Sequence, residues 1–177
     1  MVVNESTKDL PATPKQTWLL FTLTKKDYRD ANLTREEAGE MIANLLKARG
    51  NKYKEFERIL SEAIAAGDRA LAECKPTPMI VQQHSNMLDD NSPVEKEWFV
   101  EGGVCGFAWV VVTPGTSSFA RWLRKQGYTG KDYYSGGVTI HADGGGQSLE
   151  RKVAWASAFA GVLQDNGIDA SVRSRMD

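Results

Sequence analysis

Two prolines in three residues, Pro76 and Pro78 in Lys75-Pro76-Thr77-Pro78, set the strongest limit on how this 177-residue chain can fold. Each proline disfavours helix in the residue before it, so a helix stops here. Before this point the apolar residues recur every three or four positions. After it, β-prone runs are bounded by glycine and proline. The pattern predicts a helical unit over 13–75 and an α+β domain over 76–177 that holds all of the sheet. Residues 1–12 are polar and aperiodic and are expected to form a mobile arm.

In the first half, Thr13-Pro14-Lys15-Gln16 reads as a capping box with proline at the first helical position. Trp18, Leu19, Leu20, Phe21 and Leu23 supply the apolar face of a helix ending near Lys26 or Tyr28. A second capping box, Thr34-Arg35-Glu36-Glu37, starts a stripe of Ala38, Met41, Ile42, Leu45 and Leu46. Gly50 is expected to close that helix. A third helix is expected over Lys52 to Glu73, with Tyr53, Phe56, Leu60, Ala63, Ile64 and Leu71 as its apolar positions. The reading is a three-helix unit.

In the second half, Met79–Val81 and Glu97–Val100 read as short strands, with an exposed loop over His84–Pro93 between them. Phe107–Thr113 is the most β-prone run. Thr116-Ser117-Ser118 caps a helix over Phe119–Gln126. Val138–His141 alternates, so His141 faces away from Val138 and Ile140. Ser148 caps a helix over Leu149–Gln164 with a stripe of Val153, Ala156, Phe159, Ala160 and Leu163. Ile168–Arg173 is a last strand. The order β-β-β-α-β-α-β predicts one mixed sheet with two helices packed on one face.

Composition narrows the function classes. No apolar run reaches the roughly 18 residues of a membrane span. The opening MVVNESTKDLPATPKQ has no basic region followed by an apolar core, so no secretory signal is expected and the expected location is the cytoplasm. Two cysteines, Cys74 and Cys105, are far apart and match no zinc spacing; His84 and His141 make no metal cluster. No cofactor fingerprint is present, so no cofactor is expected. The net charge of −1 argues against a strongly basic nucleic-acid binder as a whole.

Local charge points to one region. Arg121, Arg124 and Lys125 lie close to Tyr133 and Tyr134, and basic groups among aromatics suit phosphates with stacked bases. The same residues also suit a solvated helix face with tyrosines at its rim. Gly145 and Gly146, before Ser148 at a helix start, offer backbone N–H groups to an anion, although such glycines also make a plain turn. Arg151 in the first turn opposes the helix dipole and calls for an anionic partner. Arg173 and Arg175 share a face of the last strand. Cys105 with His141 and Asp143 can be drawn as a thiol triad, but Cys105 beside Gly106 and aromatics reads equally as a small buried hydrophobe.

Val104-Cys105-Gly106-Phe107-Ala108-Trp109, Phe119-Ala120-Arg121-Trp122-Leu123, Gln147-Ser148 and Ser174-Arg175-Met176-Asp177 resemble a family of uncharacterised bacteriophage proteins, especially from phages of actinobacteria. Residues Thr13 to Leu45 are similar to a short helical module of phage and plasmid proteins that sometimes accompanies nucleic-acid-handling domains. The resemblance implies a phage accessory protein in the host cytoplasm and supplies no catalytic residues. Together with the site above, it implies a non-enzymatic protein that binds nucleic acid or a nucleotide through its C-terminal domain. The alternatives are a protein-binding inhibitor of a host defence system and a small hydrolase or transferase using Cys105 and His141.

Overall fold

The computed structural model describes residues 7–128 and 130–177. The chain divides between Glu55 and Phe56 into two compact units. It is an α+β protein with four helices and two antiparallel sheets among the described residues. No helix among them is long and apolar enough to cross a membrane.

The first unit is built on two capping boxes. Helix α1 spans Pro14–Thr24, with Thr13 as N-cap and Gln16 returning its side chain to the cap backbone. Helix α2 spans Arg35–Glu73, and Thr34 and Glu37 bond reciprocally at its start. Gln16 also donates to Arg35 O at 2.9 Å, so one capping residue ties both helix starts together. The expected mobile arm lies in part outside the described residues. Its remainder is held: Pro11 bridges Thr34, Ala12 N–H bonds Leu33 O, and Lys8 pairs with Glu36 at 3.3 Å.

The expected three-helix unit is two helices, because α2 runs through Gly50 without a break. A helical glycine costs only about 1 kcal/mol relative to alanine. The apolar positions Ile42, Leu45, Phe56, Leu60 and Ala63 keep one phase across Gly50, so one continuous face is presented on both sides of it. The prolines do end α2, as expected, but the compact units part earlier, inside this helix.

The second unit begins with the last part of α2. A hairpin follows, β1 (Met79–His84) on β2 (Val94–Val100), which among the described residues pair only with each other. Then come β3 (Gly106–Val112), α3 (Ser118–Lys125), β4 (Gly130–Lys131), β5 (Val138–His141), α4 (Leu149–Asp165) and β6 (Ala170–Met176). The four-stranded sheet has the order β4-β5-β3-β6 with every neighbour antiparallel. This β-α-β-β-α-β arrangement is a split β-α-β unit. The expected mixed sheet is therefore corrected. β3 and β4 run the same way, but β5 inserts between them, so no parallel pair is adjacent.

Alternation along β3 assigns the two faces. Ala108, Val110 and Val112 are buried on the face that carries α4; a Cβ at Gly106, on this face, would lie 3.0 Å from Leu149 Cδ1. The inner surface of α4 is Lys152, Trp155, Ala156, Phe159, Ala160 and Leu163. Lys152 replaces the expected Val153 there, donating to Gly106 O at 2.8 Å. Trp155 stacks on Phe159 with centroids 4.8 Å apart and donates its indole N–H to Asp68 at 2.9 Å. Phe56 of α2 meets Phe119 edge-on at 5.1 Å and Trp122 at 5.6 Å, which places α3 in the same core.

Phe159 is fully buried. Phe159→Ala should cost about 3–5 kcal/mol in denaturant unfolding. Two of the glycines of α2, Gly50 and Gly67, should respond with opposite signs. Gly50 has open space around its Cβ position, so Gly50→Ala should gain about 0.5–1 kcal/mol. A Cβ at Gly67 would lie 2.7 Å from Trp155 Nε1, so Gly67→Ala should lose about 1–3 kcal/mol from overpacking despite its better propensity. Equal effects at the two positions would contradict this packing.

Candidate functional site

The sheet face opposite α4 gathers aromatic and basic side chains. Register places Phe107 beside Arg175, and Trp109 beside both His141 and Arg173. These five side chains come from three adjacent strands, and β-alternation turns them all to one side. Phe107, His141 and Arg175 are exposed, while Trp109 and Arg173 are half-buried. The Trp109 and His141 rings lie 6.0 Å apart and tilted by 33°. Arg175 Cζ stands 5.2 Å from the Phe107 ring centroid, and Lys152 Nζ 5.1 Å from it. Two cations at one ring make the neighbourhood of Phe107 electropositive.

One end of this face is covered by the β4–β5 loop. Asp132 N–H bonds Gly137 O, and Gly136 N–H bonds Asp132 O, so the loop closes on itself. Asp132 is buried. Its carboxylate accepts from the Ser135 backbone N–H at 2.8 Å and from the Ser135 hydroxyl. Its other oxygen lies 3.4 Å from Arg173 Nη1. The Ser135 hydroxyl bond chiefly holds the Asp132 carboxyl below its ordinary range. The loop's backbone N–H groups and Arg173 act in the same direction, against burial. The loop also presents Tyr134, 93% exposed, 5.9 Å from Arg173 Cζ, and Tyr133, which stacks with Lys131 at 5.5 Å. Gly130 keeps the floor open, since any side chain there would collide with Thr139 Oγ1 and approach His141 Nε2 to 3.8 Å.

The residues singled out by sequence fall into three groups. Arg173, Arg175 and Tyr134 belong to the open face, with Tyr133 at its rim. Arg121, Arg124 and Lys125 are exposed on α3. Arg124 extends toward the tyrosine loop: a Cβ at Gly115 would lie 2.8 Å from Arg124 Nη2 and collide with Gly136 O. Gly145, Gly146, Ser148 and Arg151 form the start of α4. Ser148 is buried and caps Arg151 N–H at 3.5 Å, and the two glycines take positive φ of 82° and 63°. Arg151 Nε is buried without a hydrogen-bond partner. Among the described residues no hydrogen bond or ion pair joins this third group to the other two.

Phe107, Trp109 and Asp132 were not among the sequence candidates, and His141 was one only as the base of a thiol triad. The alternation of Phe107 and Trp109 against Ala108 and Val110 carries the signal, since a large aromatic on the outward side of a central strand needs a reason. The thiol triad does not assemble. His141 pairs with Trp109, and Cys105, just before β3, is four residues from Trp109, about 13 Å along an extended chain. Cys105 instead bridges Ser148 and donates its S–H to Gln147 Oε1 at 3.4 Å. Among the described residues no three His, Cys, Asp or Glu side chains converge on a point that would hold a metal ion.

No protein-family model, curated protein or solved structure matches this chain.

Asp132 gives the loop a pH signature. A carboxyl with a lowered folded pKa contributes stability above its unfolded value, near 4, and loses it as pH falls through the lower folded value. Thermal melts should therefore show the parent losing stability below about pH 4. Asp132→Asn should be less stable than the parent at pH 7, with the gap narrowing toward pH 2. A gap that stays constant over that range would remove Asp132 from this role.

Proposed function

We propose that this protein binds single-stranded nucleic acid on the open face of its four-stranded sheet. Phe107 and Trp109 stack two bases, and Arg173, Arg175 and the tyrosine loop hold the adjoining backbone. The observation that carries this reading is the alternation of β3. It buries Ala108, Val110 and Val112 and leaves two aromatics facing outward between cationic neighbours. Antiparallel sheets with aromatics on central strands are a recurrent platform for unpaired bases, whose faces stack without sequence preference. α4 packs on the other face, and the β4–β5 loop covers only one end of this one. The chain's small net charge favours a short single strand, held partly by stacking, over a duplex held by many phosphate contacts. The accessory role in phage-infected cells implied by the sequence resemblance accommodates such an activity.

A second reading, a protein-binding inhibitor of a host system, is favoured by one observation. The β1–β2 hairpin exposes Ile80, Trp98 and Phe99.

Fluorescence anisotropy with labelled ten-nucleotide DNA and RNA, single- and double-stranded, tests the first reading. Single strands should bind more tightly than duplex. Trp109→Ala should weaken binding by about 1–3 kcal/mol, the usual worth of one stacked base. Arg175→Ala should lower the salt slope by about 0.7, one phosphate contact on a single strand. Arg121→Ala, on α3, should leave both unchanged. Equal affinity for duplex, or no effect of Trp109→Ala, would overturn the proposal.

A further inference from the structure

The hairpin is an unusual part to leave uncovered. A two-stranded ribbon is marginally stable in water unless it packs on something. Yet among the described residues β1 and β2 pair only with each other, and Ile80 (59% exposed) stands directly opposite Phe99 (69% exposed) on one face. Glu97 shares that face and is steadied by Gln82 at 2.7 Å. The tip adds Leu88, 97% exposed. Charge is segregated as well. Residues 79–101 contain five acids and one lysine, a net −4, so the rest of the chain carries +3.

The surface that complements an apolar, acidic ribbon is one with aromatics and cations. The open face of the four-stranded sheet has both, in Phe107, Trp109, Arg173 and Arg175. β2 carries Glu97 and, at the bulge where the register shifts, Glu95; β6 carries Arg173 and Arg175 on one face. From this complementarity of apolar surface and charge we infer that the hairpin of one copy packs on the open sheet face of a second copy, its Ile80, Phe99 and β2 glutamates meeting the surface formed by Phe107, Trp109, Arg173 and Arg175. A ribbon face about 23 Å long and 10 Å wide is small for a stable interface. Exchange is therefore reciprocal: each copy's hairpin covers the other's sheet, which closes a two-fold dimer. The inference uses the same face as the nucleic-acid reading but does not depend on it. Where both hold, the hairpin and the single strand compete.

Light scattering of the full chain during size-exclusion chromatography, at low salt and over a range of concentrations, reads the result. The parent should run at twice the chain mass. Glu95→Arg/Glu97→Arg and Arg173→Glu/Arg175→Glu should each run as monomers. Their equimolar mixture should return to the dimer mass, because both exchanged contacts are then complementary again; this rescue also shows that both variants are folded. A photo-crosslinking residue at Phe99 should join the segment containing Phe107 and Trp109 of the other copy. A monomeric parent, a dimer indifferent to the charge reversals, or a mixture that stays monomeric overturns the inference. So does a Phe99 crosslink confined to another protein or to another surface. The glutamate-reversed variant keeps an intact sheet face and separates the two readings. If it binds single strands while the parent is monomeric, only the dimer is lost. If the charge-paired dimer forms and no variant binds single strands, only the nucleic-acid reading is lost.

Discussion

The second unit depends on the seating of Trp155. Its ring stacks on Phe159, its N–H satisfies Asp68, and its edge fills the space that a side chain at Gly67 would need. One residue thus joins the end of α2 to α4, and α4 to the sheet. Each contact requires the others. The indole is buried, so its donor needs a partner, and Asp68 reaches it only if α2 comes close. That approach in turn requires glycine at 67. Phe159, fully buried, lies on the helix that packs against β3 and β6.

Covering one face of the sheet decides what the other face can be. A strand buried on both faces reads as a continuous apolar run, and β3 comes close to this at Val110, Val111 and Val112. There the β4–β5 loop folds over the far side: a Cβ at Gly137 would lie 2.8 Å from Val111 Cγ1. Toward Gly106 that cover ends, and the outward positions become Phe107 and Trp109. The same strand is core at one end and platform at the other. Cations gather at the platform because β6 and α4 bring Arg175 and Lys152 to Phe107 from different elements, which requires the tertiary fold.

Legibility followed physical range. The caps at Thr13, Thr34 and Ser148 act over three residues and occupy their expected positions, and the cap expected within Thr116-Ser117-Ser118 is Ser117. The stripe of α4 was evident at Ala156, Phe159, Ala160 and Leu163 but not at Trp155 or at Lys152, whose long stem spans apolar surface while its ammonium reaches Gly106 O. Gly50 misled because a glycine signal carries its meaning only with its surroundings. At 50 it sits in open space within a helix whose apolar phase continues past it. At 67 the same residue is a packing requirement. β4, two residues long, has no periodicity to detect.

The sequence by itself determined the α+β class, the stop at Pro76 and Pro78, the N-caps and the β-prone run of β3, because each rests on interactions between near neighbours in the chain. The tertiary structure alone decided the antiparallel order with β5 between β3 and β4, the union of two expected helices into α2, and the separation of the candidate arginines into three groups. It also decided that Phe107, Trp109 and His141 share a surface with Arg173 and Arg175. Strand register is set by pairing across dozens of residues. A shift of one position would have turned all of these side chains to the other face.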